Sequence, residues 1–324
     1  MRTLRRLGYL ALVIGFAQVV FGAIVRISGS GLGCGNHWPD CYGSFTPATN
    51  APNPSLLVEI SHRYGAAALS LAIVALAIVA WTRRTETGVG GRGGVLRPSL
   101  LALLLVIVAA IFGAITVKME LATGVVVMHL AIAMSLLAVL VVIVVRAGGF
   151  GSPSIASRSP RTLRSGRAAV GLTFLALVFG ALTANTPGAP NACQGFPLCR
   201  VIAEHGIPLW IQVTHRVIAF LLLFHLIGII FGVRKRGERG PVRAAAWTAL
   251  SVVVLQVLIA AAMVEMQLPL SLRSLHQAAG TALWITVVLL TAIASGSQDT
   301  VPISEVIRES PSRGEFATPE GVST

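Results

Sequence analysis

The stretch TGVVVMHLAIAMSLLAVLVVIVVR, residues 123–146, is long and apolar enough to indicate the fold class. It contains 24 residues, and His129 is its only ionisable side chain before the arginine that ends it. An α-helix rises about 1.5 Å per residue, so roughly 20 apolar residues cross the ~30 Å hydrocarbon core of a bilayer. The stretch therefore predicts a membrane-spanning helix that carries one imidazole inside the membrane.

Seven further apolar blocks of similar length occur along the chain. The eight predicted spans are 7–27, 57–81, 99–117, 123–146, 168–185, 208–233, 243–265 and 273–295. The composition agrees, because 55% of the 324 residues are hydrophobic and 11% are charged, whereas about 25% are charged in soluble domains. Backbone polar groups in lipid must be satisfied within the segment, so we predict an all-α integral membrane protein with eight transmembrane helices.

The distribution of the basic residues along the chain indicates the membrane topology. Of the 25 Lys and Arg residues, 19 lie in regions that share one side of an eight-span protein: 2–6, 83–97, 146–167, 234–243 and 308–313. The positive-inside rule then places both termini in the cytoplasm, in a multi-pass protein surrounded by the lipid of the cell membrane. The net charge of +13 does not indicate a nucleic-acid partner, because the charges do not gather on one soluble face.

Internal repeats divide the chain into two halves. Three motifs occur twice: E/Q-x-x-H-R at 59–63 and 212–216, V-x-M-x-L with a later His at 117–129 and 264–276, and F-G-A at 21–23 and 179–181. Four spans return the chain to the same side, so the halves are expected to be four-helix bundles related by a pseudo-two-fold axis along the membrane normal. We predict an N-terminal half over 1–147, a cytoplasmic linker over 148–167, a C-terminal half over 168–295 and a disordered cytoplasmic tail over 296–324.

Four of the seven histidines occupy repeat-matched positions: His62, His129, His215 and His276. Each lies within about two turns of the outer end of its span, so all four are expected at one depth. Ionisable side chains inside spans are costly and are functional candidates. Two histidines on facing helices can hold a metal or a haem iron, so His62 with His129 and His215 with His276 predict two haem sites. Zinc is disfavoured, because no carboxylate or cysteine ligands cluster with these histidines.

Two arginines directly follow two of these histidines. Arg63 and Arg216 could bind haem propionates through charge-assisted hydrogen bonds, or they could extend to the outer membrane interface. The sequence leaves both interpretations open.

The halves differ at one polar position, where Glu59 is replaced by Gln212. A carboxylate beside a haem site can accept protons or orient water, whereas an amide cannot accept protons. The difference predicts that the chemistry takes place in the first half. The alternative is that Glu59 stabilises the positive N-terminus of its helix.

Each half carries two cysteines in the loop after its first span. Cys34 and Cys41 share one loop, and Cys193 and Cys199 share the other. The topology places both loops outside the cytoplasm, where disulfides persist, so two intra-loop disulfides are expected. A redox or metal role for Cys34 and Cys41 is the alternative.

Taken together, these motifs resemble the haem A synthase family, whose bacterial form has eight spans in two halves. The resemblance covers residues from about 7 to 295 and implies that haem O is the substrate and that one of its methyl groups is oxidised to the formyl group of haem A through hydroxylated intermediates. It implies that His215 and His276 are the axial ligands of a haem b cofactor, that His62 and His129 flank the substrate, and that Glu59 is the catalytic acidic residue. Haem O synthase and terminal oxidase assembly factors become plausible partners, while the electron acceptor stays unknown.

Two other functions fit parts of the pattern. A di-haem cytochrome b for electron transfer would share the histidine pairs, but it leaves the Glu59/Gln212 difference unexplained. A repeat-built transporter would also have two like halves, and it predicts helices broken near the middle of the membrane.

Overall fold

A computed structural model of the protein describes residues 1–45, 53–151 and 159–296. Nearly all of the predicted tail, from residue 297 onward, and the middle of the predicted linker lie outside the described residues.

Eight long α-helices, one single-turn 3-10 helix (Ala189–Asn191) and one short hairpin make up this part of the chain. The helices are α1 (Arg2–Ile27), α2 (Pro54–Thr82), α3 (Leu96–Lys118), α4 (Thr123–Arg146), α5 (Pro160–Asn185), α6 (Ile207–Lys235), α7 (Gly240–Glu265) and α8 (Leu270–Ser295). The hairpin pairs β1 (Cys193–Gln194) with β2 (Val201–Ile202) in the loop between α5 and α6. All eight helices are long and apolar enough to cross a membrane, so the predicted all-α, eight-span fold is confirmed.

Helix α5 begins earlier than predicted. Ser159 caps it by accepting a hydrogen bond from the Thr162 N–H, and Pro160 occupies the first turn, both of which are typical helix-start features. Residues 160–167, which we assigned to the linker, are therefore helical and continue into α5, while their cytoplasmic location stays a prediction. The apolar run stops at the arginines of this segment, but backbone hydrogen bonding continues through them.

The helices form two groups of four. Helix α1 packs on α2 and α4, and α3 packs on the same two helices, while α5 to α8 repeat this pattern. Contacts between the groups run from α4 to α5 and α8, and from α1 to α8. Helices α1, α4, α5 and α8 thus form a seam between the halves. Across it, Trp284 of α8 donates from Nε1 to the Met134 carbonyl of α4 at 2.8 Å.

The repeat is also visible in the turns between α3 and α4 and between α7 and α8. Two consecutive residues in each turn, 120–121 and 267–268, have positive φ values of 49–63°. The N–H of the second residue bonds to the carbonyl five positions earlier, at 2.9 Å and 2.8 Å, as in a Schellman helix end. The two halves therefore share backbone conformation as well as sequence motifs.

The two ends of the bundle are packed differently. We call the end at which α1 begins and α8 ends the basic end, and the end that carries the cysteine loops the disulfide end. The two large buried apolar clusters lie towards the basic end, and they include 69–80 of α2 and 222–233 of α6. A small third cluster of Cys34, Cys41, Leu56 and Ile60 lies at the disulfide end. At the level of the four histidines most side chains between the helices are only partly buried. The looser packing therefore coincides with the histidine level.

At the basic end, Glu238 ties the α6–α7 connection to the start of α5. Its carboxylate accepts hydrogen bonds from Arg236 Nε (2.5 Å), Ser159 Oγ (2.7 Å) and Thr162 Oγ1 (2.8 Å). Burial raises the pKa of this carboxyl, but the hydrogen bonds and the charge of Arg236 outweigh burial, so the pKa lies below its ordinary value.

We expect Glu238→Gln to lower the free energy of unfolding in detergent by about 1–2 kcal/mol, because an amide cannot replace these charge-assisted bonds. The loss should be complete at neutral pH, above the pKa of the unfolded carboxyl. It should disappear as the pH falls through the lowered folded pKa, where the wild-type carboxyl is also protonated. Thermal unfolding followed by tryptophan fluorescence at both pH values measures the difference.

Glu86→Gln is the matched control, because Glu86 forms an exposed ion pair with Arg83 at 3.9 Å at the same end. Exposed pairs contribute little. Equal losses in the two variants at neutral pH would contradict the role given to Glu238.

Candidate functional site

His215 of α6 and His276 of α8 face each other in the second half. Their ring centroids lie 6.5 Å apart, and the ring planes are nearly perpendicular at 81°. Nδ1 of His215 lies 3.0 Å from the carbonyl oxygen of Ala176 on α5. Because a carbonyl oxygen only accepts, Nδ1 carries the proton and Nε2 keeps its lone pair. His215 is therefore held in the tautomer that binds a metal through Nε2.

His62 of α2 and His129 of α4 form the matching pair in the first half and lie close enough to interact electrostatically. A Cβ at Gly22 of α1 would be 2.9 Å from Cε1 of His62, and one at Gly180 of α5 would be 3.0 Å from Cε1 of His215. The repeated F-G-A motif thus has a packing reason, since glycine lets each imidazole approach the backbone of the neighbouring helix.

Gln18 of α1 contacts His62 and was not among the predicted site residues. Its Nε2 lies 2.9 Å from Nδ1 of His62 and 2.7 Å from the His62 carbonyl oxygen. The carbonyl can only accept, so the amide nitrogen is the near atom and its second hydrogen reaches Nδ1. His62 therefore accepts at Nδ1, whereas His215 donates at Nδ1. The repeat-matched residue of Gln18 is Ala176. A polar residue one turn before F-G-A in only one half is therefore the sequence feature that could have identified Gln18 as a site residue.

Gln256 of α7 makes a similar contact in the second half, but with the other histidine of the pair. Its Nε2 lies 3.2 Å from Nε2 of His276. The matched residue in α3 is Ala109, whose carbonyl lies near the His129 ring without forming a hydrogen bond of acceptable geometry with Nδ1. In each half one histidine thus contacts a glutamine. This histidine is His62 of α2 in the first half and His276 of α8 in the second.

Four buried side-chain atoms lack a hydrogen-bond partner within the described ranges, and all belong to this level: Nδ1 of His129, Nδ1 of His276, Oε1 of Gln256 and Nε2 of Gln277. Such atoms cost about 1–3 kcal/mol each and are rare in folded proteins. No three His, Cys, Asp or Glu side chains of the described residues converge on one point. The donor set is therefore a pair of imidazoles in each half, in a region whose polar atoms are incompletely satisfied.

Glu59 and Gln212 anchor the two disulfide loops. Glu59 is 4% exposed and accepts from the Cys34 N–H through Oε2 at 2.8 Å, while Gln212 is 5% exposed and accepts from the Cys193 N–H through Oε1 at 2.5 Å. The other Glu59 oxygen accepts from Arg63 at 2.5 Å, whereas the Gln212 amide donates to a loop carbonyl at 3.0 Å. The halves therefore differ at this position, because Glu59 forms an ion pair with Arg63 whereas Gln212 is a neutral amide.

Arg63 and Arg216 bind the loops as well. Arg63 donates to three carbonyl oxygens of residues 37–40, at 2.8–3.2 Å. Arg216 donates to three carbonyl oxygens of residues 193–197, at 2.6–3.4 Å. Both the propionate role and the membrane-interface role of these arginines stay predictions.

The loops are closed by disulfides in the structure. Cys34 is joined to Cys41, and Cys193 is joined to Cys199, which are the two pairings expected from the sequence. Because Glu59 lies one turn before His62 on α2, the loop that it anchors lies next to the histidine level.

The fold and the site define an eight-span membrane protein of two like bundles, each with paired histidines beneath an anchored disulfide loop. The chain matches the COX15-CtaA family, described as cytochrome oxidase assembly protein, over residues 5–288. It belongs to this family, as the resemblance in the sequence predicted.

Several curated relatives carry the name "Heme A synthase". The one from Staphylococcus haemolyticus strain JCSC1435 is 30% identical over 293 residues, which cover 88% of this chain and 91% of the relative. The one from Staphylococcus saprophyticus is 28% identical over 307 residues, covering 91% and 98%. The one from Bacillus pumilus strain SAFR-032 is 26% identical over 247 residues, covering 72% and 75%. The similarity therefore extends over both halves.

We expect Arg216→Gln to accelerate amide hydrogen exchange in residues 193–200 about tenfold, because the loop loses charge-assisted bonds to α6. Arg63→Gln should do the same for residues 37–41. Exchange measured by mass spectrometry on the detergent-solubilised protein tests both. Arg200→Gln is the control, since Arg200 pairs with Glu265 and is exposed. Loops that exchange at the wild-type rate in both test variants would contradict the anchoring role.

Proposed function

We propose that this protein is a haem A synthase, an oxidoreductase that converts a methyl group of haem O into the formyl group of haem A through hydroxylated intermediates, with haem b as its cofactor. The observation that carries the proposal is a histidine pair at matched positions of two like bundles, with His215 and His276 facing each other at 6.5 Å. The relatives named "Heme A synthase" support it over most of the chain.

The rival functions explain less. A di-haem cytochrome b gives no reason for the Glu59/Gln212 and Gln18/Ala176 differences between the halves. A transporter predicts broken helices near the middle of the membrane, whereas the eight helices of the described residues run without interruption.

The residues of the second half fit a resident haem b. Two imidazoles that bind one metal from opposite sides through nitrogen, at about 2 Å each, have ring centroids roughly 6 Å apart. The 6.5 Å separation of His215 and His276 agrees with this. His215 presents its Nε2 lone pair, and Nδ1 of His276 and Oε1 of Gln256 are buried without a hydrogen-bond partner, which supports a ligand-binding role for this region. We assign His215 and His276 as axial ligands, and a haem bound there supplies one-electron redox chemistry.

The first half suits a haem that must leave again. His62 and His129 flank this site, but Gln18 donates to Nδ1 of His62, so the proton of that ring lies on Nε2. Ligation of His62 through Nε2 requires this hydrogen bond to be exchanged. Gln256 contacts Nε2 of His276 in the second half, so the difference between the halves lies in His215, which presents its Nε2 lone pair where His62 does not. We therefore assign the substrate haem O to this half, because a product must be released while a cofactor is retained.

Glu59 supplies the acid–base group of the first half. Oxidation of a methyl group releases protons, and the Glu59 carboxylate is a buried acceptor one turn from His62. The same carboxylate holds the loop through the Cys34 N–H. Glu59 thus couples loop position to proton transfer, whereas Gln212 can only hold its loop.

We place the protein in the cell membrane with both termini cytoplasmic and both disulfide loops outside, where disulfides persist. A substrate as apolar as haem O can enter sideways from the lipid. Haem O synthase and terminal oxidase assembly factors are the partners that this activity implies.

We expect His215→Ala to lower the haem b content roughly tenfold, because an axial ligand is lost. His62→Ala should keep haem b and lose extractable haem O and haem A. Reduced-minus-oxidised spectra, with chromatography of extracted haems, measure both. His225→Ala is the control, since His225 lies deeper in α6 and bonds to the Ser165 carbonyl at 2.9 Å. A folded wild-type protein without any haem would contradict the proposal.

We expect Glu59→Gln to lower the haem A yield about a hundredfold, the usual scale for loss of an acid–base group. The variant should keep its loop order and haem b, because Gln212 makes the same loop contact in the second half. Haem analysis combined with hydrogen exchange of residues 34–41 measures both. Gln212→Glu is the matched control and should stay near the wild-type yield. A normal yield from Glu59→Gln would remove the catalytic assignment.

A further inference from the structure

Two arginines lie at the disulfide end of the seam between the halves. Arg26 lies in the last turn of α1 and Arg273 lies in the first turn of α8, and these helices pack against each other. The two guanidinium groups are close enough for their like charges to act on each other. Both side chains are partly buried.

Neither arginine is neutralised by a carboxylate of the described chain. The ion pairs found across 1–45, 53–151 and 159–296 involve Arg63, Arg83, Arg200 and Arg236. Arg26 donates from Nε to Oδ1 of Asn185 at 2.5 Å, which leaves its terminal N–H groups available. Two like charges held together in a partly buried position are costly, and an anion between them would remove the cost.

The position of the pair relative to the histidines points to the source of the anion. Arg26 lies four residues after Gly22, which packs on His62, so it is one turn further along the same helix face. Arg273 lies three residues before His276, which is about 4.5 Å along the axis. The backbone of each arginine therefore lies about one turn nearer the disulfide end than a histidine, and the two histidines belong to different halves.

The pair is not repeated. The positions that match Arg26 and Arg273 are Ala184 and Val126, so the two arginines create one site where the histidines create two. Thr123 of α4 donates to the Asn185 carbonyl of α5 at 2.9 Å. Each of the four seam helices thus has a polar residue at this end of the seam.

We infer that Arg26 and Arg273 form a single oxyanion-binding site on the seam, and that its ligand is a propionate carboxylate of the haem b proposed at His215 and His276. The inference rests on the proposed function. A guanidinium binds carboxylate and phosphate by the same fork of N–H donors, so a phospholipid headgroup is the other source of such an anion. Arg63 and Arg216 already donate to loop carbonyls, whereas the seam pair has donors to spare.

The test uses the holoprotein and the variants Arg26→Gln, Arg273→Gln and their combination. We expect the double variant to lose haem b to excess apomyoglobin about tenfold faster than wild type, because charge-assisted hydrogen bonds to the carboxylate are gone. Its haem b midpoint potential should fall, since positive charge beside a haem stabilises the reduced form. Arg200→Gln removes one charge at the same end and should change neither value. The double lysine variant keeps both positive charges, so its haem b midpoint potential should stay close to the wild-type value.

Haem b with esterified propionates separates the two sources of the anion. If the ligand is a propionate, wild-type protein reloaded with the dimethyl ester loses it as fast as the double variant does. Native mass spectrometry tests whether the anion belongs to a phospholipid. If the double variant loses a bound phospholipid while its haem transfer rate and midpoint potential are unchanged, the carboxylate assignment is overturned.

If transfer rate, potential and bound lipid are all unchanged, the seam site itself is overturned and the proposed function stands. A wild-type protein without haem would overturn the proposed function and this inference together, and its spectrum reports that outcome before any variant is made.

Discussion

Four imidazoles at one level of an apolar bundle are the constraint to which the neighbouring structure responds. A polar group in such surroundings is costly unless it has a partner. His215 bonds to a backbone carbonyl, His62 to Gln18 and His276 to Gln256. Glycines on the neighbouring helices then make room for two of the rings. Much of the local sequence that looks unremarkable is therefore fixed by where the imidazoles lie.

The packing of the bundle separates stability from function. The two large buried clusters lie towards the basic end, and the disulfide loops are anchored by Glu59, Gln212, Arg63 and Arg216 at the other end. The histidine level lies between these two rigid parts. The histidines are thus held in place by helices that are fixed at both of their ends.

The sequence predicted what the two halves share and overlooked much of what they do not. Span length and repeated motifs were sufficient for eight helices and the four histidines, and the Glu59/Gln212 difference was visible because both residues are polar. Gln18, Gln256 and Arg26 were missed, since each is matched by an alanine and a repeat search passes over such positions. The loop contacts of Arg63 also could not be predicted, because they depend on how residues 37–40 fold back onto α2. The start of α5 was misplaced because arginines end an apolar run without ending a helix.

These differences lie where the fold can accept them. A repeated bundle produces two copies of each site, yet retaining one haem and releasing another requires the copies to differ. Neither Gln18 and Ala176 nor Gln256 and Ala109 belong to the two large buried clusters. Gln18 still needs local space, because a Cβ at Gly65 of α2 would overlap its Oε1, and Ile218 stands at the matched position in the second half. An exchange of alanine for glutamine at the basic end would meet tightly packed side chains. Small residues placed differently at the histidine level are thus the physical condition that lets one backbone design hold its histidines in two different ways.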